Sequence, residues 1–109
     1  MVELIAIVRR SGALATKEEL ARAGCVGYSV FPVLGRGRQR GLCSAAALNH
    51  VSFLPKVLFD MVVEDTQVQE TIEAIMRANQ TGEFGDGKIF VLPLGEAYRI
   101  SAGLSAATP

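Results

Sequence analysis

The chain has 109 residues, with 11 Lys or Arg against 11 Asp or Glu and a formal net charge of zero. That balance leaves a general nucleic-acid or membrane-surface role by electrostatics unsupported. Half of the residues are hydrophobic and the mean hydropathy is +0.30. This is apolar for one small domain, so part of the apolar surface is expected to be buried between copies in a homo-oligomer. The opening residues lack a signal peptide's basic start, no apolar run is long enough to span a membrane, and Cys25 and Cys43 are too few for a disulfide framework. A cytoplasmic protein is expected.

Val2 to Val8 is almost continuously apolar and predicts a buried strand. Thr16-Lys17-Glu18-Glu19 fits a capping box, which would start a helix at Thr16. That helix carries Leu20, Ala21 and Ala23 and stops at Gly24. Strand character returns from Cys25 to Leu34. Between Gly35 and about Phe53 no helical or strand period is visible, and a loop of that length in a small domain is usually functional or disordered.

Lys56 to Val63 predicts a third strand. Asp65-Thr66 then cap a second helix with a stripe at Val68, Ile72, Ile75, Met76 and Asn79, in which Met76 reads as core. This helix ends at Thr81-Gly82, a glycine-rich turn follows, and Ile89 to Leu92 forms a last strand closed by Pro93. The stretch from Ala97 to Pro109 is expected to fray at its end. The order strand, helix, strand, loop, strand, helix, strand is the βαββαβ pattern of the α+β ferredoxin-like sandwich, an antiparallel sheet with helices on one face. Three subunits packing their other faces together would account for the apolar composition. No repeat or linker indicates a second domain, so residues 1–109 read as one.

Two glycine-rich stretches suit phosphate. In Gly35-Arg36-Gly37-Arg38-Gln39-Arg40-Gly41, glycines permit close backbone approach and arginines offer forked donors. Thr81 to Lys88 (TGEFGDGK) has Walker A spacing. Ile89 stands where the magnesium-binding Ser or Thr belongs, and the loop runs from helix to strand, the reverse of a P-loop. A backbone nest for phosphate is left open. Arg99 follows the last strand. Cys43 and His50 offer too few ligands for a metal site, no acid–base or nucleophile set can be assembled, and no enzyme activity is expected.

These segments together resemble the PII nitrogen-regulatory signalling family, from about Glu3 to Gly103. The resemblance rests on LIAIVR, GRGRQRG, FLPK at Phe53 to Lys56, TGEFGDGKIFVLP and EAYRI. It implies a homotrimer that binds ATP or ADP in clefts between subunits and regulates a target protein through a T-loop, here about residues 37–54. Thr81 to Lys88 would be the glycine-rich B-loop and residues 97–109 the C-terminal segment. By the same analogy Arg38, Gly87, Lys88 and Arg99 would contact phosphates, and Ile7, Gly35 and Gly37 would line the adenine side. Val62, Thr81, Gly85 and Asp86 complete the nucleotide set, and Asp60 falls where the family has a glutamate near the phosphates. Gln39 matches a residue that coordinates magnesium through the nucleotide, and Lys56 one that holds 2-oxoglutarate. Gln39, Arg40, Gly41 and Lys56 form the effector-responsive loop root.

The departures modify these expectations. The T-loop is about two residues shorter than is usual and lacks the tyrosine that some members uridylylate. Glu83 and Ser101 replace basic residues, so ADP or AMP is expected to be tolerated as well as ATP. VVED, the FGDGKIF stretch and EAY look like nitrogenase-associated members. The short loop equally fits PII-like regulators of inorganic carbon that sense bicarbonate with ADP or AMP.

Overall fold

The computed structural model describes residues 1–36 and 53–104. Four strands form one antiparallel sheet: β1 (Val2–Arg9), β2 (Ser29–Gly35), β3 (Leu54–Val63) and β4 (Gly87–Pro93), in the order β2-β3-β1-β4. Helices α1 (Ala13–Arg22) and α2 (Val68–Asn79) follow β1 and β3. This is the ferredoxin-like arrangement that the element order predicts.

The central strands alternate strictly. Leu4, Ala6 and Val8 of β1 and Val57, Phe59, Met61 and Val63 of β3 are buried on one face, against Leu20 of α1 and Ala74 and Ile75 of α2. The Tyr28 ring tilts onto Phe59 with centroids 5.6 Å apart. On the other face Ile5, Ile7, Leu58 and Val62 remain partly exposed. Their neighbours on the outer strands, Phe31 and Phe90, are about half exposed. Burial of Phe59 and the β1 and β3 aliphatics is the largest stabilising term, at about 25 cal/mol for each Å² of apolar surface removed from water.

Several boundaries differ from expectation, each for a local reason. Thr16 caps nothing. A 3-10 turn over Arg10–Gly12 leads straight into α1 at Ala13, and Thr16 is fully buried inside the helix. Its Oγ1 donates to the Gly12 carbonyl at 2.7 Å and accepts from Asn79 Nδ2 at 2.8 Å, which ties α1 to α2. Helix α1 does stop at Gly24 (φ +82°), where Gly24 N donates to Ala21 O and Cys25 N to Leu20 O in a Schellman closure.

Strand β2 begins at Ser29, four residues after Cys25. Strand β3 begins at Leu54 and takes in Pro55, which lies one residue beyond the last β1 partner, Lys56, so its missing N–H removes no β1 ladder bond. Asp65-Thr66 lie in or beside a 3-10 turn (Asp65–Gln67) with no side-chain cap bond, and α2 ends at Asn79. Met76 is 48% exposed, because Ile75 takes the core position beside it. Strand β4 starts two residues early, at Gly87. No helix among the described residues is long and apolar enough to cross a membrane.

Candidate functional site

At one end of the sheet the close of β1 and the starts of β3 and β4 meet beside the loop between α2 and β4. An open cleft of about 570 Å³ lies there. Its apolar floor is Ile7, Leu54 and Phe90, its rim carries Gly35, Arg36 and Lys56, and its wall is the chain from Glu83 to Lys88. By strand register, Ile7, Lys56 and Lys88 project from the face turned away from the helices. The cleft therefore opens onto the half-exposed apolar face.

Glycine is required at one wall position above all. Gly87 has φ +124° and pairs with Val8, and a Cβ there would lie 2.1 Å from the Ile7 carbonyl oxygen. Backbone can only come this close where no side chain intervenes.

The loop is stitched by the Asp86 carboxylate. Oδ2 accepts from the amides of Thr81 at 2.7 Å and Gly82 at 2.9 Å, while Oδ1 accepts from the Thr81 hydroxyl. Arg9, at the end of β1, donates Nη1 to Asp86 Oδ1 at 3.1 Å and Nη2 to the Phe84 carbonyl. Lys56 Nζ donates to the Gly85 carbonyl at 3.1 Å. The Thr81 hydroxyl and amide, then the Gly82 amide and the Arg9 charge, hold the Asp86 carboxyl below its usual range. Partial burial, then the neighbouring Arg9 charge, lowers the Lys56 ammonium from the ordinary lysine value. Lys88 Nζ lies 6.0 Å from the centre of the Phe90 ring.

Of the expected site residues, the structure gathers Ile7, Gly35, Lys56, Gly85, Asp86, Gly87 and Lys88 around this one cleft. Thr81 serves the loop through its bonds to Asp86. Asp60 and Val62 project from the same sheet face but farther along β3, opposite Ile5 and Glu3, and do not line the cleft. Arg99 is exposed and precedes a 3-10 turn (Ile100–Ala102), away from the cleft of its own chain. Gly37, Arg38, Gln39, Arg40, Gly41, Cys43 and His50 lie outside the described residues, as does most of the segment 37–54. Among the described residues no group of three His, Cys, Asp or Glu could hold a metal ion. Arg9 was not anticipated from the sequence. Its partners are more than seventy residues distant, and its only local signal was a cation closing an apolar strand.

Fold and cleft together define an α+β domain of ferredoxin-like build with an anion-suited cleft at one sheet end. The sequence model described as "Nitrogen regulatory protein P-II" matches residues 1–103. The chain is 43% identical to "Nitrogen regulatory protein P-II" of Rhodospirillum rubrum, with 94% of each chain covered. It is 38% identical to "Nitrogen fixation nifHD region GlnB-like protein 2" of Methanothermobacter marburgensis, again over 94% of each chain. With "Nitrogen fixation nifHD region glnB-like protein 1" of Methanococcus maripaludis it shares 41% identity over 87% of this chain and 89% of the relative. The chain belongs to the nitrogen regulatory protein P-II family, whose members are signalling regulators. The inorganic-carbon reading finds no support in these relatives.

Proposed function

We propose that this chain assembles as a homotrimer that binds ATP, ADP or AMP in clefts between subunits and regulates a partner protein in nitrogen metabolism through the segment 37–54. The observation that carries this reading is the cleft itself. Its wall is a glycine-rich loop, its cations are Arg36, Lys56 and Lys88, and its floor is apolar. That combination suits a ligand with a flat apolar base and a polyphosphate tail. The cleft opens onto an apolar face that a second copy would cover, so Arg99 and Asp60 would reach a nucleotide only through assembly. Magnesium and 2-oxoglutarate would be held by Gln39 and Lys56 at the segment's root. The ligand would favour one arrangement of the segment, to which the partner docks, and a coupling of about 1–3 kcal/mol is enough for such a switch.

A role in nitrogen control is supported by the names of the relatives, and the glycine-rich loop supports the nucleotide. Titration calorimetry with ATP, ADP and AMP tests it. Wild-type protein should bind all three, with ATP no more than about tenfold tighter than ADP because Glu83 and Ser101 stand where cations are usual; one charged hydrogen bond is worth roughly that factor. Lys88→Ala should weaken ATP binding by about ten- to a hundredfold on the same scale. Absence of heat with every nucleotide, from a protein shown by sedimentation to be a trimer, would remove the proposal.

A further inference from the structure

An acid stands in the wall of a cleft suited to anions, and its chemistry needs explaining. Asp86 is ionised, held below the usual carboxylate range by hydrogen bonds. A bare carboxylate beside a phosphate tail would repel it. Both oxygens of Asp86, however, are engaged by the chain itself: two successive amides, the Thr81 hydroxyl and the Arg9 guanidinium. The other arm of Arg9 holds the Phe84 carbonyl. One fork therefore fixes two points of the loop, and the carboxylate fixes two more.

We infer that Arg9 and Asp86 are a positioning pair for the ligand-binding loop, so that the acid raises the cleft's affinity for phosphate although its charge opposes it. The inference rests on the nucleotide reading above and assigns to Asp86 a role other than ligand contact. Three features lead to it. The pair spans from β1 to the loop, with the guanidinium and carboxylate about one-third exposed or less, so the bond is sheltered from full solvent screening. The loop between Thr81 and Asp86 has positive φ at Gly82 and Gly85, which leaves its backbone free to take other shapes unless side chains restrain it. Just after the loop, Gly87 packs on the Ile7 carbonyl, so the loop's far end is anchored by β4 while its near end depends on Asp86. Arg9 neutralises the acid and orients it at once; a lysine could supply the charge but not the second, forked bond.

The two possible roles of Asp86 predict opposite signs. If it is a positioning group, Asp86→Ala weakens ATP binding by about tenfold or more, the scale of lost charge-assisted bonds. If it acts only through its charge, Asp86→Ala tightens ATP binding. Arg9→Ala weakens binding too, and the double variant should be no worse than the weaker single one, because the residues act as a unit. Arg9→Lys should restore only part of the loss. The loss should also grow from adenosine, which has no phosphate to position, through AMP to ATP; general damage to the fold would lower all three alike. Should Asp86→Ala fail to fold, Asp86→Asn keeps one acceptor for the Thr81 and Gly82 amides, and it should still weaken ATP rather than strengthen it.

Calorimetry of the assembled wild-type and variant proteins with adenosine, AMP and ATP decides the matter. Unchanged or tighter ATP binding by the Asp86 variants, or additive losses in the double variant, overturns the positioning pair while leaving the nucleotide reading intact. Wild-type protein that binds none of the three overturns both.

Discussion

The two helix-to-strand connections occupy equivalent places in the two βαβ halves, yet they are built differently. After α1 the chain turns through Gly24 on two backbone bonds, Cys25 and Tyr28 beyond it lean on Met61 and Phe59 of the core, and a Cβ on Gly24 would meet nothing within 4 Å. After α2 the connection is stitched by Asp86, gripped by Arg9 and Lys56, and packed against β1 at Gly87. The first connection only has to reverse the chain. The second is held in one shape by side chains from three places in the sequence, an expense of ordering that the fold alone does not require. This difference is what the proposed nucleotide cleft on the second turn would require.

Substitution of the glycines should expose the contrast most strongly. Gly87→Ala forces a Cβ into the Ile7 carbonyl at a φ that L-residues rarely adopt, and should cost roughly 3 kcal/mol or more in a denaturant melt. Gly24→Ala meets a smaller positive φ (+82°) and open space, and should cost only about 1 kcal/mol. Equal losses at the two sites would mean that the close approach at Gly87 is not what holds the second turn.

A smaller effect concerns acid. The depressed carboxyl of Asp86 contributes stability that is full above its ordinary value of 3.8 and is lost as pH falls through its lower folded-state value. The stability difference between wild type and Asp86→Ala should therefore stay level from neutrality down to about pH 4 and shrink below it. No matching acid-sensitive step should follow substitution in the first turn.

The smallest effect lies on the open face, away from both turns. Glu3 is raised above 4.5, first because its protonated carboxyl donates a hydrogen bond to Asp60 and then by that residue's charge. A raised acid favours the folded state while protonated, so its contribution is present below 4.5 and is lost as pH rises through the folded-state value. Glu3→Gln should then melt slightly above wild type near neutral pH, with the difference vanishing in acid. A difference that persists at low pH would place the origin elsewhere.

The fold was largely legible because the apolar runs of β1 and β3 and the stripe of α2 fix the element order, while the burial of only alternate residues in β1 and β3 is set by the sheet having helices on one face. The errors came where one residue type serves two ends. Threonine satisfies a helix start as a cap and a helix interior by bonding back four residues, and Thr16 does the second. Ile75 and Met76 are adjacent on the predicted stripe, and sequence alone does not say which of the two meets the core. The glycines of the candidate site were readable as permission for close approach, but not what their bends accomplish. In the sequence Asp86 stands between two glycines, whereas the bends bring Thr81 and Gly82 back onto its carboxylate. Arg9 could not be linked to that loop by any local pattern, since strand pairing alone brings them together.

Hydrogen exchange of the assembled protein with and without ATP reads both turns in one experiment. ATP should slow exchange of the amides from Gly82 to Lys88 and leave those from Ala23 to Tyr28 unchanged. Protection of neither turn, or of both equally, would contradict a ligand cleft built on the second turn alone.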